Sequence, residues 1–281
     1  MRVLLRFIHI TIVGILLTAL VLCAVINNIT LNKNTVKKQL DKAGVYDEIN
    51  KELQNELKNE LNAEFAKYPE LNVNLDELID ETVKPNVLKE ETEYILDQLY
   101  DGSETLNIDT TILLNGYRSN LNEYLYSMNI KLPAELDIVI DELLESDSEK
   151  KVDISENAKD ITDMFNLYKN VTKSVIVILA FMILVLVVLS LVVSTEKLKV
   201  IYKPLFFSAI LLFMIRFVIT KIFEKIEIPN DSAMAKNIII TIKDTIISNI
   251  DKFAIAFVVF GIIVLVTKII LSKKEYVNEK V

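Results

Sequence analysis

"SVIVILAFMILVLVVLSLVV" (residues 174–193) carries no charged residue in twenty positions. A helix of that length measures about 30 Å, the thickness of the hydrocarbon layer of a bilayer. A buried core helix can also be apolar all round, so one such stretch does not settle the class. Three more do. Residues 7–26 (FIHITIVGILLTALVLCAVI) carry no formal charge with His9 neutral, residues 204–220 (PLFFSAILLFMIRFVIT) contain Arg216, and residues 253–272 (FAIAFVVFGIIVLVTKIILS) carry Lys268 near one end. The reading is an all-α integral membrane protein, its lipid partner the bilayer, with four transmembrane helices. A mean hydropathy of +0.36 agrees.

Residues 1–26 read as a short N-terminus followed by an uncleaved anchor. Arg2 and Arg6 would suit a signal peptide, but the apolar run exceeds the usual ~7–15 residues and no small-x-small cleavage site follows. In "LVLCA" (20–24), Leu22 stands where a lipoprotein box needs a small residue.

Between the first two spans the composition reverses. Residues 27–172 hold 15 of the 31 Lys and Arg but 31 of the 39 Asp and Glu, a net charge of −16 in a chain of net −8. Sidedness follows Lys and Arg in short segments, not net charge. The N-terminus has two Arg, the loop 194–203 (STEKLKVIYK) three Lys, and residues 268–281 four Lys. In a four-span topology all three fall on one side, which should be cytoplasmic. Both termini, the loop 194–203 and the tail 273–281 are then inside. Residues 27–172 and the segment 221–252 are extracytoplasmic. Lys33, Lys37, Lys38 and Lys42 cut against this, because they crowd the outer end of the first span.

The segment 27–172 is long enough for its own core, and its periodicity is helical. Ile49, Leu53, Leu57, Leu61 and Phe65 recur every four residues, a stripe on one helix face. Pro69 closes that run. A second helix should start near Asn74 and carry Leu75, Leu78, Ile79 and Val83 up to a break at Pro85. In "PNVLKEETEYILDQLYDG" (85–102), Leu88, Glu91, Ile95 and Leu99 share a face and Gly102 suits a C-terminal cap. Residues 105–113 read as a short extended piece. Asp109 then caps a helix bearing Ile112, Leu113, Leu121, Leu125 and Met128. Pro133 opens another helix, "SDSEKK" (146–151) reads as a solvated turn, and "DISE" (153–156) fits a capping box. The helix beginning there should run through Ile161, Phe165 and Tyr168 into the second span. "PND" (229–231) is a turn with Asp231 as a cap. The residues after it form either one helix running on to about residue 272, or a helix lying flat on the membrane.

"LDKAGVYDEI" (40–49) and "VKPNVLKEETEYILDQLYDGSETLNID" (83–109) resemble a pattern of functionally uncharacterised bacterial membrane proteins. These have one span, an extracytoplasmic helical domain, then three more spans. Gly102, Leu106, Ile108 and Asp109 match, and the resemblance covers roughly residues 40–125 plus the topology. The chain departs from it at Val87, where a tryptophan often follows the proline.

Chemistry is largely excluded by composition. Cys23 and His9 are the only cysteine and histidine, both in the first span. No intramolecular disulfide, no His/Cys metal site and no histidine catalysis are open to the polar segment. The five glycines, at 14, 44, 102, 116 and 261, make no phosphate-binding loop and no nucleophile elbow. "ELLESDSE" (142–149) lacks the spacing and glycine of an EF-hand. An acidic surface opposes nucleic acid. No catalytic, cofactor or metal residue is assigned, and no enzyme is expected. Arg216 alone costs energy where it sits, on the order of 2.5–3.5 kcal/mol at a bilayer centre. Either it snorkels toward residue 222, with Glu224 the nearest acid and none within the spans, or it forms an intramembrane polar site.

Two functions remain. One is a non-enzymatic protein of the bacterial envelope whose outer helical domain binds a protein partner or acts structurally. The other is a transmission subunit driven by a cytoplasmic ATPase, since the topology resembles the cell-division ABC-transporter permease family. Only six residues precede residue 7, fewer than that family usually has, and the loop 194–203 is a small docking platform. Oligomeric state is open.

Overall fold

In a computed structural model the described residues are 2–71, 73–101, 110–150, 158–194, 196–226 and 233–278. Among them there are helices and no strand. The chain forms two compact units, residues 1–36 with 168–281, and residues 37–167.

The first unit contains four helices long and apolar enough to cross a membrane. They are α1 (Arg2–Thr30), α8 (Ala158–Val193), α9 (Lys197–Glu224) and α10 (Ala233–Asn278). Lipid offers no hydrophobic drive for helix association, so close packing has to come from small residues. Gly14 of α1 admits Phe207 of α9, and a Cβ there would lie 2.5 Å from the Phe207 ring. Gly261 of α10 admits Phe206, with a Cβ 3.0 Å from that ring. α9 thus presents one aromatic ring to each neighbour. Above these contacts Val21, Val25, Leu212, Ile250 and Ala254 form a buried cluster.

Polar contacts tie α8 to α1 at both ends. The Tyr168 hydroxyl meets Thr30 Oγ1 at 3.2 Å, and Ser190 Oγ meets His9 Nδ1 at 2.7 Å. Early residues of one helix meet late residues of the other, so α1 and α8 are antiparallel. None of the most apolar stretch of α8 is buried, leaving that stretch for lipid or another chain to cover.

The second unit has its own core. α2 (Lys33–Lys42) leads into α3 (Val45–Phe65) through Gly44, at φ 68°. That left-handed conformation is cheap only for glycine. A short 3₁₀ turn (Pro69–Leu71), α4 (Leu75–Thr82), α5 (Pro85–Asp101), α6 (Thr110–Ser127) and α7 (Ala134–Lys150) follow. Leu53, Leu57 and Leu61 of the four-residue stripe are buried against Leu78, Ile79, Leu121, Leu136 and Ile140. Each such side chain contributes about 1.5–3 kcal/mol by burial. Gly116 lets α6 close on Val87 of α5. Asn74 caps α4 through its side chain, accepting from the Asp76 amide at 3.2 Å.

The break at Pro85 leaves carbonyls at the end of α4 without helical donors. Amide side chains replace them. Asn50 and Gln54 both donate to the Val83 carbonyl, at 2.8 and 3.0 Å, and Asn120 donates to Thr82 at 3.0 Å. These contacts fix the α4–α5 junction to α3 and α6 inside the core.

Several expectations are corrected. Residues 146–150 continue α7 as helix instead of forming a turn. Met128 lies beyond α6 and is exposed, because Asn129 at φ 53° ends the helix and Ile130 donates back to Leu125. Most of the segment 194–203 is helix, so Pro204 lies inside α9. Of the two alternatives for the segment after residue 232, the continuous helix is found: it is the start of α10, which runs unbroken for 46 residues. Residues 110–113, expected as the end of an extended piece, open α6 instead, and the expectations for Gly102, residues 105–109, Asp153–Glu156 and Asp231 fall outside the described residues.

Candidate functional site

Arg216, the one site residue marked in the sequence, is ion-paired. Its Nε lies 2.9 Å from Asp251 Oδ1 on α10, with side chains 48% and 29% exposed. The expectation that no acidic partner exists among the spans is thereby corrected. The uninterrupted apolar run starts only at residue 253, whereas α10 begins twenty residues earlier and carries Asp251. Glu224 pairs instead with Lys221, at 2.7 Å.

Register sets how Arg216 reaches Asp251. Phe206 meets Gly261, and Arg216 meets Asp251. Ten residues separate each pair on both helices, so α9 and α10 are antiparallel and Arg216 reaches its partner on the level. Lys199 lies seventeen residues before Arg216 and Lys268 seventeen after Asp251. The two charged layers are therefore about 25 Å apart, close to the roughly 30 Å of a hydrocarbon layer. In a bilayer spanning these helices, the ion pair lies at one boundary and the lysines at the other.

The lysine layer is a second polar cluster. Glu196 accepts from Lys199 and lies 2.9 Å from the Arg6 Nη1. The hydrogen bond from Lys199, and then the charges of Lys199, Arg6 and Lys268, hold the Glu196 carboxyl below its ordinary range against a smaller opposing effect of burial. His9 sits just inside. Its Nδ1 lies 2.7 Å from Ser190 Oγ. Between the two layers Ser208 of α9 meets Thr18 of α1 in a buried contact at 2.9 Å, while Thr18 donates to the Gly14 carbonyl at 2.8 Å. These polar groups are about 12 Å apart along α9. They pin helices together and form no continuous path.

In the unit 37–167, a cavity of about 20 Å³ is walled by Leu57, Leu61, Leu78, Ile140 and other apolar side chains, with Thr82 the one polar residue of its wall. It has room for about one water. Charged side chains gather instead between α2 and α5. Lys37 meets Asp97 at 2.9 Å and Glu93 at 3.3 Å, and Lys89 meets Asp41 at 2.7 Å. Burial alone would lower the Lys37 pKa, and its bonds to Asp97 and Glu93 outweigh that and raise it. Tyr46 lies buried beside this network. Desolvation first, then the charges of Glu93 and Asp41, push its hydroxyl up to about 12. Local spacing does not mark Tyr46 as buried, since its surroundings come from three helices. No group of three or more metal-ligating side chains occurs among the described residues.

No protein-family model, curated protein or solved structure matches the chain.

Proposed function

We propose that this chain is a non-enzymatic integral membrane protein of the bacterial envelope. Four spans anchor a helical extracytoplasmic domain that engages a protein partner. The observation carrying this reading is the pairing of four apolar helices with a separately cored, acidic helical unit, residues 37–167. The basic layer of Arg6, Lys199 and Lys268 supports an inside location for that end of the bundle. Lys37, one of the lysines that argued against this orientation, is neutralised by Glu93 and Asp97. The unit also carries exposed apolar side chains, Tyr126 at 89% and Ile138 at 58%, of the kind that anchors a protein contact. Its acidity disfavours nucleic acid. The topological likeness to the bacterial four-span proteins of the first subsection fits this reading.

A photo-crosslinking residue at Tyr126 in intact cells tests it. The expected result is one discrete adduct with an envelope protein, abolished by Ile138→Lys. A hydrolytic or transfer activity of the purified chain, lost on changing single carboxylates, would contradict it.

Helix length favours a second reading, a permease-like transmission subunit. α8 has 36 residues and α10 has 46, about 54 and 69 Å. Both exceed the hydrocarbon layer and are stiff enough to carry motion along their axes. Co-purification of an ATPase, lost when Lys197 and Lys199 become Glu, distinguishes this reading from the first.

A further inference from the structure

We propose that the Arg216 guanidinium binds the phosphate of a phospholipid headgroup, with Asp251 positioning it. The inference rests on the reading that these helices cross a bilayer. Arginine presents five N–H donors in a planar fork that matches phosphate oxygens two at a time. Asp251 is met by Nε, which leaves the two Nη groups at the far side of the fork. The side chain is 48% exposed on the outside of the bundle. A guanidinium facing hydrocarbon without oxygen partners is costly. It requires acceptors, and the acceptors found at a membrane boundary are water and headgroup phosphates.

Charge balance selects the phosphate. Lys252 follows Asp251 in sequence and is exposed. Arg216, Lys252 and Asp251 together carry one net positive charge. Lys221, the next cation along α9, is held by Glu224. That leaves Glu224 engaged, and the Thr220 hydroxyl is turned back to the Arg216 carbonyl at 2.9 Å, so neither supplies the guanidinium with a further acceptor. Level bridging between α9 and α10 keeps the fork at the boundary layer, where the phosphodiester lies. Basic sites between transmembrane helices recognise headgroups in this way.

The test uses the full chain in nanodiscs of phosphatidylcholine with a minor share of phosphatidylglycerol, and counts retained phosphatidylglycerol by native mass spectrometry. The double variant Arg216→Gln/Asp251→Asn removes both charges together and so leaves no orphan. It should keep the wild-type Tm and lose about tenfold in retained lipid, the effect of one charge-assisted hydrogen bond or more. Asp251→Asn keeps an acceptor oxygen for Nε, and so the position of the fork, while removing the negative charge beside it, and should retain at least as much lipid as wild type. Lys225→Gln, with the same change of charge, should retain the wild-type amount. Equal retention by all four proteins overturns the proposal. So does millimolar inorganic phosphate displacing the lipid and staying bound in its place, which would make free phosphate the ligand. Loss of a second polypeptide, with lipid unchanged in the double variant, overturns it in favour of a protein contact. Should the wild-type chain fail to enter nanodiscs at all, it is the membrane reading itself that fails.

Discussion

Arg216 and Asp251 stand 35 residues apart in the chain, on helices joined through a segment outside the described residues. The cost of Arg216 was legible from its apolar neighbours alone. Its partner was not, because pairing depends on the register of α9 against α10, which Phe206 and Gly261 set ten residues away. Tyr46 is harder still. Nothing in "GVYDEI" shows that the ring is 3% exposed under Lys89, with Asp41 and Glu93 nearby. Its hydroxyl titrates near 12 in the folded chain against about 10 when unfolded. A pKa raised by folding contributes stability that is complete below the unfolded value and fades as pH rises through the folded one. The loss should therefore fall between about pH 10 and 12, amounting to roughly 2–3 kcal/mol. Its hydroxyl has no hydrogen-bond partner among the described side-chain contacts. Tyr46→Phe should accordingly flatten the alkaline limb of the stability profile and leave neutral-pH stability unchanged or raised by about 1 kcal/mol. Denaturant unfolding of the full chain across that pH range reads both. An unaltered alkaline limb in the variant would show that Tyr46 is not the titrating group.

At the level of elements, apolar stripes were the reliable signal. α3 with Leu53, Leu57 and Leu61, the Asn74 cap of α4, the break at Pro85 and the run of α8 from Ile161 into the apolar stretch all follow from local spacing. Failures occurred where a tertiary contact or a longer helix overrode a local cue. "SDSEKK" has the composition of a turn, yet α7 runs to Lys150. Pro204 reads as a helix start, yet it sits about two turns inside α9. Glycine packing was invisible in sequence, because Gly14, Gly116 and Gly261 lie within regular helices and only the facing side chain gives each its role. Two substitutions separate the units. Gly116→Ala would set a Cβ 2.5 Å from Val87 and should cost about 1–3 kcal/mol by overpacking, lowering the unfolding transition of residues 37–167. Gly14→Leu should loosen α1 from α9 while leaving that transition in place. Hydrogen exchange of the full chain in detergent, followed peptide by peptide, distinguishes the two outcomes.

For the whole molecule, class and span number were carried by composition, since a twenty-residue apolar run has few other uses. The proposed sidedness rests on a handful of lysines and arginines. The structure adds that Arg6, Lys199 and Lys268 gather around Glu196 at one end of the bundle, while the Arg216–Asp251 layer marks the other. The central claim is that the acidic unit lies across the membrane from the basic end. Thiol labelling of intact cells tests it most directly, in a Cys23→Ser background with a membrane-impermeant maleimide. A cysteine at Ser119, exposed on α6, should label in intact cells, and one at Ser272, near the basic end of α10, only after permeabilisation. Labelling of position 272 in intact cells with position 119 protected would contradict the account.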